Sequence, residues 1–428
     1  MTAVPGPEPG VQPPLHLHRW NDRAVVALAL VAMASGFGQF GVVAALGSVA
    51  KGLGQVVEGK SLADQVGLSG TVLGVGLAVI RLSSLGSLPI TGLADRFGRR
   101  IVLLVTVAAG LALTVAAAAS PSFWWFVAIF ALGRPLLSTT NALSQVAAAE
   151  QTGTSDRAKA VALIAAGYAV GAGLIAVVHS LASTALGFRG VFLLALVPLA
   201  LVPLLRGWIE EPDRYAVMRA ADDNPLPVWG AVAPAYRRRL AVVAGIGFAI
   251  SFVTGPANSF IFLYAQNVLH QRGIVTAAMV VGASVTGLAG LLAGRWLADR
   301  VGRRPAGALG VVGVVAFSSV AYAGSAPALV AGYVLAVLAG AVFAPAIGAI
   351  LNEEFPTSVR ASVAGWFLAA GVLGAVAGLV VFGVVATADN RFGEAALFTF
   401  LPVALTVGLF WLLPETKGKE PEDLWPEP

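Results

Sequence analysis

The sequence predicts an all-α membrane protein with twelve transmembrane helices, arranged as two pseudo-symmetric six-helix halves. Three observations predict this class: an apolar composition, twelve charge-poor stretches of spanning length, and charged motifs that occur twice at one offset. Hydrophobic residues make up 57% of the 428 positions and charged residues only 11%, whereas a soluble domain has about 25% charged residues. A surface this poor in charge is suited to lipid rather than to water.

The twelve charge-poor stretches are each long enough, at roughly 20 residues, to cross about 30 Å of hydrocarbon as a helix. Ala, Gly and Val dominate them, and none shows the apolar–polar alternation of membrane β-strands. The predicted spans are residues 24–49, 69–91, 101–119, 122–148, 158–181, 190–208, 241–267, 274–297, 306–324, 327–351, 361–386 and 395–413.

Two charged motifs indicate that the chain is a duplication. Residues 92–100 (GLADRFGRR) recur in residues 294–304 (GRWLADRVGRR), with the Asp-Arg pair 204 positions later. An acid and a base seven positions apart occur at residues 150–157 and again at residues 353–360, an offset of 203. Two unrelated signatures that agree on one offset indicate a duplicated unit, as in many membrane transporters.

The spans and the gap between the sixth and seventh of them define the domain organisation. The N-terminal tail is Pro-rich and is predicted to be disordered. The predicted segments are a cytoplasmic tail at residues 1–23, an N-terminal half at residues 24–208, a cytoplasmic linker at residues 209–240, a C-terminal half at residues 241–413 and a cytoplasmic tail at residues 414–428.

Lys and Arg predict the orientation. With the N-terminus inside, 20 of the 27 lie in inner segments, five in outer loops and two within spans. This bias places both termini in the cytoplasm and predicts a multi-pass protein of the cell membrane. Nucleic acid is not an expected partner, because the basic residues are scattered over loops. We expect a monomer whose partners are the lipid bilayer and a small-molecule substrate.

Enzyme chemistry is not predicted. The sequence has no cysteine and four histidines, His16, His18, His179 and His270, and these form no metal-ligand cluster or Ser–His–acid arrangement. No nucleotide-binding P-loop occurs, so ATP is not expected to power the protein directly. We therefore predict no catalytic residues, no metal site and no cofactor.

With these motifs in their loops, the chain resembles the major facilitator superfamily and, within it, the sugar-porter-like branch of metabolite transporters. Residues 95–100 (DRFGRR) match the superfamily's best-known signature. Residues 353–360 (EEFPTSVR) look like the branch's motif after span ten, and residues 414–418 (PETKG) match its ending after span twelve. Residues 211–214 (EPDR) are a weak copy of its motif after span six. The resemblance implies a secondary transporter that works by alternating access.

The resemblance also implies a cytoplasmic gate made of the repeated charged motifs. Arginines beside acids at the mouth can form ion pairs that join the two halves when the inner side is closed. The alternative is that the arginines only set the topology. The implied gate residues are Gly92, Asp95, Gly98, Arg99, Arg100, Glu150, Arg157, Asp299, Gly302, Arg303, Arg304, Glu353, Arg360 and Glu415.

Glycines at four-residue spacing occur in counterpart helices of the two halves. Gly167 and Gly171 lie in the fifth span, and Gly374 and Gly378 lie in the eleventh. This spacing puts both glycines of a pair on one helix face, where two backbones can approach closely. The pairs indicate ordinary bundle packing or, alternatively, a sliding gate surface.

Two arginines about halfway along their spans give the main clue to the substrate. Arg81 and Arg134 are costly at that depth without a partner, and no acid lies near the middle of any span. An anionic or strongly hydrogen-bonding solute is one partner; backbone carbonyls are the structural alternative. The predicted substrate-binding residues are Gln39, Arg81, Arg134, Asn141, Asn258 and Tyr264. For Asn258, an interhelical hydrogen bond is the alternative role.

The coupling mechanism is left open by the sequence. Proton-coupled sugar porters carry an aspartate at the position of Gln39, and Gln39 cannot titrate. His179 is the only candidate substitute, and a structural role is the alternative for it. These features favour facilitated diffusion or exchange over proton symport.

The predicted cargo is a small polar organic solute, and a metabolite that bears a carboxylate is one candidate. An exporter of drugs or secondary metabolites is the alternative within transport, although residues 167–173 (GYAVGAG) lack the proline of the exporters' motif in span five. A membrane receptor or scaffold without transport is the alternative from another class, and the short tails disfavour it.

Overall fold

The structure is a computed structural model that describes residues 17–57, 59, 61–212, 234–386 and 391–418. Most of the predicted linker, the first sixteen residues of the N-terminal tail and the last ten of the C-terminal tail lie outside the described residues. The predicted boundaries of these three segments therefore remain predictions.

Twelve helices in the described residues are long and apolar enough to cross a membrane, which confirms the predicted fold class. Each overlaps one predicted span, and their ends differ from the predicted ends by a few residues. The helices are α1 Arg23–Ala44, α2 Gly70–Ala94, α3 Arg99–Ala119, α4 Phe123–Gln151, α5 Asp156–Ala182, α6 Ala185–Leu205, α7 Pro234–Val268, α8 Gly273–Arg300, α9 Arg303–Ala321, α10 Ala326–Glu353, α11 Ser362–Ala386 and α12 Phe392–Leu412.

Polar caps explain where several helices begin. Ser69, Ser122 and Ser325 each accept a hydrogen bond from a backbone N–H in the first turn of α2, α4 and α10. A short helix, Leu62–Val66, lies in the loop before α2 and starts with a reciprocal cap between Ser61 and Asp64. These side chains satisfy N–H groups that have no partner within the helix.

The glycine pairs pack helices within each half. A methyl group at Gly167 or Gly171 on α5 would overlap backbone oxygens of α1, and one at Gly374 or Gly378 would overlap backbone oxygens of α7. The α1–α5 contact of the N-terminal half is thus repeated as the α7–α11 contact of the C-terminal half. The structure assigns these glycines to bundle packing within a half rather than to a surface between halves.

Other small residues join the two halves. We call the end of the bundle that carries residues 92–100 and 294–304 the motif end. At the opposite end, a methyl group at Gly74 on α2 would overlap the backbone of α11, and one at Gly273 on α8 would overlap the backbone of α5. Thr276 also donates a hydrogen bond across the halves to Ser180 at 2.8 Å. The halves are therefore tightly joined away from the motif end.

Replacing Gly171 with Ala should destabilise the protein. The added methyl group meets the carbonyl oxygen of Met33, and forced overpacking typically costs about 1–3 kcal/mol. Gly173→Ala on the same helix is the matched control, because its nearest neighbour would be Val280 at 3.6 Å, an ordinary contact. Thermal unfolding of the purified protein in detergent should show a clearly lower midpoint for Gly171→Ala only. Equal midpoints would contradict the packing described here.

Candidate functional site

A cavity of about 300 Å³ lies between the two halves, at the middle of the bundle. Helices α1, α2, α4 and α5 of the N-terminal half and α7 and α11 of the C-terminal half supply its walls. Its polar lining residues are Gln39, Arg81, Arg134, Tyr168, Thr254, Asn258 and Ser259. Among the described residues, no Asp or Glu lines this cavity.

The two arginines predicted for the site face the same cavity. Arg81 on α2 and Arg134 on α4 are close enough to repel each other electrostatically. Arg134 Nη1 donates to the backbone oxygen of Gln39 at 3.1 Å. The Nε atoms of both arginines are buried without a hydrogen-bond partner in the described residues. The cavity therefore combines two positive charges with unused donors.

Gln39 is fixed by neutral hydrogen bonds. Its Nε2 donates to Ser35 Oγ at 2.8 Å, and Ser35 Oγ in turn donates to the backbone oxygen of Leu137 at 2.7 Å. Ser138 Oγ donates to Gln39 Oε1 at 3.2 Å. The amide thus links α1 to α4 and positions the carbonyl that Arg134 contacts. It supplies no negative charge to the arginines.

The C-terminal half contributes hydroxyl and amide groups from α7. Asn258 Nδ2 donates to the backbone oxygen of Thr254 at 2.9 Å, and Ser259 Oγ donates to that of Gly255 at 2.7 Å. The amide hydrogen bond of Asn258 therefore stays within its own helix and is not interhelical. Both residues present polar groups to the cavity opposite the arginines.

Two residues predicted for substrate binding lie elsewhere. The Tyr264 hydroxyl donates to the backbone oxygen of Tyr322 at 3.2 Å and accepts from the Gly324 N–H at 3.0 Å, so it holds the end of α7 against α9. The hydroxyl is thus engaged in packing, and Tyr264 is not among the residues that line the cavity. Asn141 is half-buried two turns beyond Arg134 and does not line the cavity.

The sequence interpretation missed three polar lining residues, Tyr168, Thr254 and Ser259. One feature of the sequence indicates that Tyr168 does not pack against α1. It follows Gly167, which faces α1, and successive side chains of a helix differ in direction by about 100°. Thr254 and Ser259 flank Asn258 at spacings of four and one. Serine and threonine occur widely in membrane helices, so nothing in the sequence singled these two out.

At the motif end of the N-terminal half, an ion pair and a cap meet at the start of α3. Arg99 Nε lies 2.5 Å from Glu150 Oε2 at the end of α4. The carboxylate of Glu211 accepts from the backbone N–H groups of Arg99 at 2.6 Å and Arg100 at 3.0 Å. An acid here suits the positive end of the helix dipole and the unpaired N–H groups of its first turn.

The C-terminal half repeats this arrangement at the start of α9. Arg303 donates to both oxygens of Glu353, at 3.2 and 3.1 Å, and lies 3.4 Å from Asp299. Glu415 accepts from the backbone N–H groups of Arg303 at 2.9 Å and Arg304 at 3.2 Å. A bidentate arginine–carboxylate pair of this kind is among the stronger polar contacts in proteins.

Glu211 is the N-terminal counterpart of Glu415, and the sequence interpretation left it out of the gate. The sequence does relate the two glutamates: they are 204 positions apart, the same offset as the repeated aspartates. Gly98 and Gly302 precede the two capped helices with φ of 100° and 131°. A Cβ there would be strained and would lie close to the capping carboxylate. Glycine is therefore required at both turns.

The remaining predicted gate residues have simpler surroundings. Gly92 has open space around it. Arg157 Nε is buried without a partner in the described residues, and Arg360 donates to the backbone oxygen of Phe355 at 3.3 Å. Asp95 lies on α2, and its side chain is outside the described part of the structure. Each ion pair given above joins groups of a single half.

Comparison with known proteins shows the family. The family model described as Major Facilitator Superfamily matches residues 26–296 and residues 269–427. A putative metabolite transport protein of Haemophilus influenzae is 27% identical over 78% of this chain and 84% of its own length. A gallate transporter of Pseudomonas putida is 26% identical over 92% of this chain and 93% of its own.

A solved structure has the same fold. The nucleoside transporter NupG is 14% identical, with a TM-score of 0.75 over 91% of this chain and 99% of that one. Family and fold are thus those of transporters rather than enzymes. The chain belongs to the Major Facilitator Superfamily and is a multi-pass membrane transporter of a small organic solute.

Proposed function

We propose that the transported solute is a small organic carboxylate, bound between Arg81 and Arg134 at the middle of the membrane. The observation that carries this proposal is the cavity itself, where two guanidinium groups meet without an acid among the described lining residues. A carboxylate can accept two parallel hydrogen bonds from a guanidinium group. It would also supply the negative charge that the arginines lack.

Relatives whose names state the transported molecule support an organic carboxylate as the solute. They include transporters named for gallate, niacin, cis,cis-muconate and gentisate, at 22–26% identity to this chain. All four named molecules carry a carboxyl group. A cavity of about 300 Å³ is at the small end for ligand sites and suits a molecule with one ring.

The neutral lining residues would select among carboxylates. Tyr168, Asn258 and Ser259 line the cavity with hydroxyl and amide groups, and Phe40 adds an aromatic ring. These groups suit a ring that carries hydroxyl or ring-nitrogen substituents in addition to its carboxylate. Gln39 would act indirectly, by holding the carbonyl that orients Arg134.

We also propose the membrane, orientation and gate. The Lys and Arg bias supports a cell-membrane location with the motif end and both termini in the cytoplasm. The halves would rock about the cavity by alternating access. The two ion-pair and cap clusters at the motif end would make each half rigid there, and the protein would act as a monomer with a small-molecule substrate.

A function outside transport has one supporting observation. A protein of Pseudomonas aeruginosa named transcription regulatory protein OpdE is 29% identical over 57% of this chain. A receptor of this fold would bind the solute without moving it. Saturable uptake by reconstituted vesicles distinguishes a transporter from such a receptor, and accumulation only in inverted vesicles would indicate an exporter.

Replacing Arg134 with Ala should raise the half-saturation concentration for uptake of labelled nicotinate or abolish uptake. The lost hydrogen bond to a charged group is worth about 1.5–3 kcal/mol, which corresponds to a change of roughly 10- to 150-fold. Arg189→Ala is the control, because Arg189 contacts backbone oxygens of Ala118 and Ser120 outside the cavity. Normal kinetics for Arg134→Ala would remove this residue from the site.

Replacing Glu211 with Gln should lower both the thermal midpoint and the uptake rate, while the amount of protein in the membrane persists. The change removes the negative charge that caps two N–H groups of α3. Glu415→Gln should give the same result at α9. The control is Glu210→Gln, whose carboxylate is exposed and contacts His18. If Glu210→Gln and Glu211→Gln behave alike, the proposed role of the cap is wrong.

A further inference from the structure

The two cavity arginines bear on how transport is driven, given the proposed function. Arg81 and Arg134 face one cavity, and the contacts that the structure gives to Arg134 are with neutral groups. When the halves rock, this cavity must close before it opens on the other side. Closing it without a bound anion would remove water from two positive charges with nothing to replace that water.

A bound carboxylate changes this cost. Its negative charge offsets part of the positive charge, and its oxygens occupy donors such as the unpartnered Nε atoms. The loaded transporter would therefore reorient faster than the unloaded one. No carboxylate lies mid-span to take up a proton and neutralise the site in the return step. We infer that the protein is an obligatory exchanger, which returns only with a second organic anion bound.

The test compares two sets of proteoliposomes that contain the full-length protein. One set is loaded with unlabelled nicotinate and the other with potassium chloride, and both have no pH gradient and no membrane potential. Labelled nicotinate is added outside, and its initial uptake is measured. We expect uptake into the nicotinate-loaded set to be faster by at least about tenfold, which is about 1.4 kcal/mol in barrier height.

Two variants sharpen this test. Arg81→Gln removes one of the two charges and should reduce the ratio of uptake into nicotinate-loaded vesicles to uptake into chloride-loaded vesicles. Arg81→Lys keeps the charge and should preserve the ratio. A merely structural role for Arg81 would change the rates of both vesicle sets together and leave the ratio unchanged in both variants.

The possible failures are distinguishable. Equal uptake into both sets, or uptake into chloride-loaded vesicles that an imposed pH gradient accelerates, would overturn exchange while leaving carboxylate transport intact. Absence of saturable uptake of nicotinate, gallate and gentisate in both sets would overturn the proposed function and this inference with it.

A second inference comes from Glu354, which follows directly after α10 at the motif end. Glu354 is fully buried, and neither of its carboxyl oxygens has a hydrogen-bond partner in the described residues. Its neighbour Glu353, in contrast, binds Arg303 and also accepts a hydrogen bond from the Thr416 hydroxyl. A buried, charged carboxylate without hydrogen bonds is strongly disfavoured.

The duplication shows which kind of side chain this position suits. The counterpart of Glu354 in the N-terminal half is Gln151, at the same offset of 203 that relates Glu353 to Glu150. Gln151 is also buried, and its Nε2 donates to the backbone oxygen of Glu210 at 2.8 Å. A protonated carboxyl resembles an amide in shape and, like it, offers one acceptor oxygen and a donor without carrying charge.

The charges around Glu354 do not remove its preference for the protonated form. The titratable and charged groups around the site are Tyr236 and Arg239 from α7, Arg304 from α9, Glu353 from α10, Arg360 just before α11 and Glu415 after α12. The arginines favour the charged form, and the two glutamates oppose it. Burial dominates and raises the pKa of Glu354 from 4.5 to about 8.

We propose that Glu354 is a proton-binding site that makes the packing of the motif end depend on pH in the C-terminal half only. Because the folded protein holds the proton more tightly than the unfolded chain, stability should fall as pH rises from about 4.5 to about 8 and then level off. Above that range the charged side chain would seek water or an arginine and loosen the junction between α7, α9 and α10.

The test is the pH dependence of the thermal midpoint, measured on the purified full-length protein between pH 6 and pH 9. Glu354→Gln should remove part of the decline seen in the wild type and be the more stable protein at high pH. Gln151→Glu places the same carboxyl in the N-terminal half and should steepen the decline. Identical slopes for wild type and Glu354→Gln would overturn the proposal.

Infrared spectroscopy of the wild type keeps the test independent of whether the variants fold. The carbonyl band of a protonated carboxyl should be present near neutral pH and should weaken as pH rises through about 8. A spectrum without such a pH-dependent band would also overturn the proposal.

Discussion

The positive charge of Arg81 and Arg134, held at the middle of the bundle with no acid among the described residues that line the cavity, is the constraint on which the site depends. The contacts around these charges are neutral: Arg134 donates to the backbone carbonyl of Gln39, and the Gln39 side chain is held by hydrogen bonds with serine hydroxyls. In lipid such charge is tolerated only beside a cavity or a partner. The anionic solute and the coupling mechanism that we propose both follow from this single imbalance.

Counterpart residues pack the helices of the two halves in the same way. Glycines on α5 and α11 let the backbones of these helices contact α1 and α7. Such close contacts matter because, in lipid, the hydrophobic effect does not drive helices together and van der Waals packing must do so. At the motif end, Glu211 and Glu415 cap counterpart helices. We propose that these contacts keep each half rigid while the halves move in alternating access.

The halves differ where one copy carries a titratable group and the other does not. Gln151 and Glu354 occupy equivalent buried positions, but only the second can gain or lose a charge. A fold that moves its halves against each other is sensitive to such an asymmetry, because the same closure then has a different electrostatic cost on each side. The pH dependence that we propose would therefore act through a single residue of one half.

The sequence by itself determined the class, the twelve spans, the duplication and the depth of Arg81 and Arg134, because hydropathy and position along the chain fix where a residue lies across a bilayer. Only the tertiary structure decided which way each helix faces. It brought Arg81 and Arg134 together with Tyr168 and Asn258 from two other helices. It also showed that the Tyr264 hydroxyl packs α7 against the end of α9. It also separated glycines that pack within a half from Gly74 and Gly273, which join the halves. Rotation about a helix axis depends on contacts with neighbouring helices, and the hydropathy of one span carries little information about them.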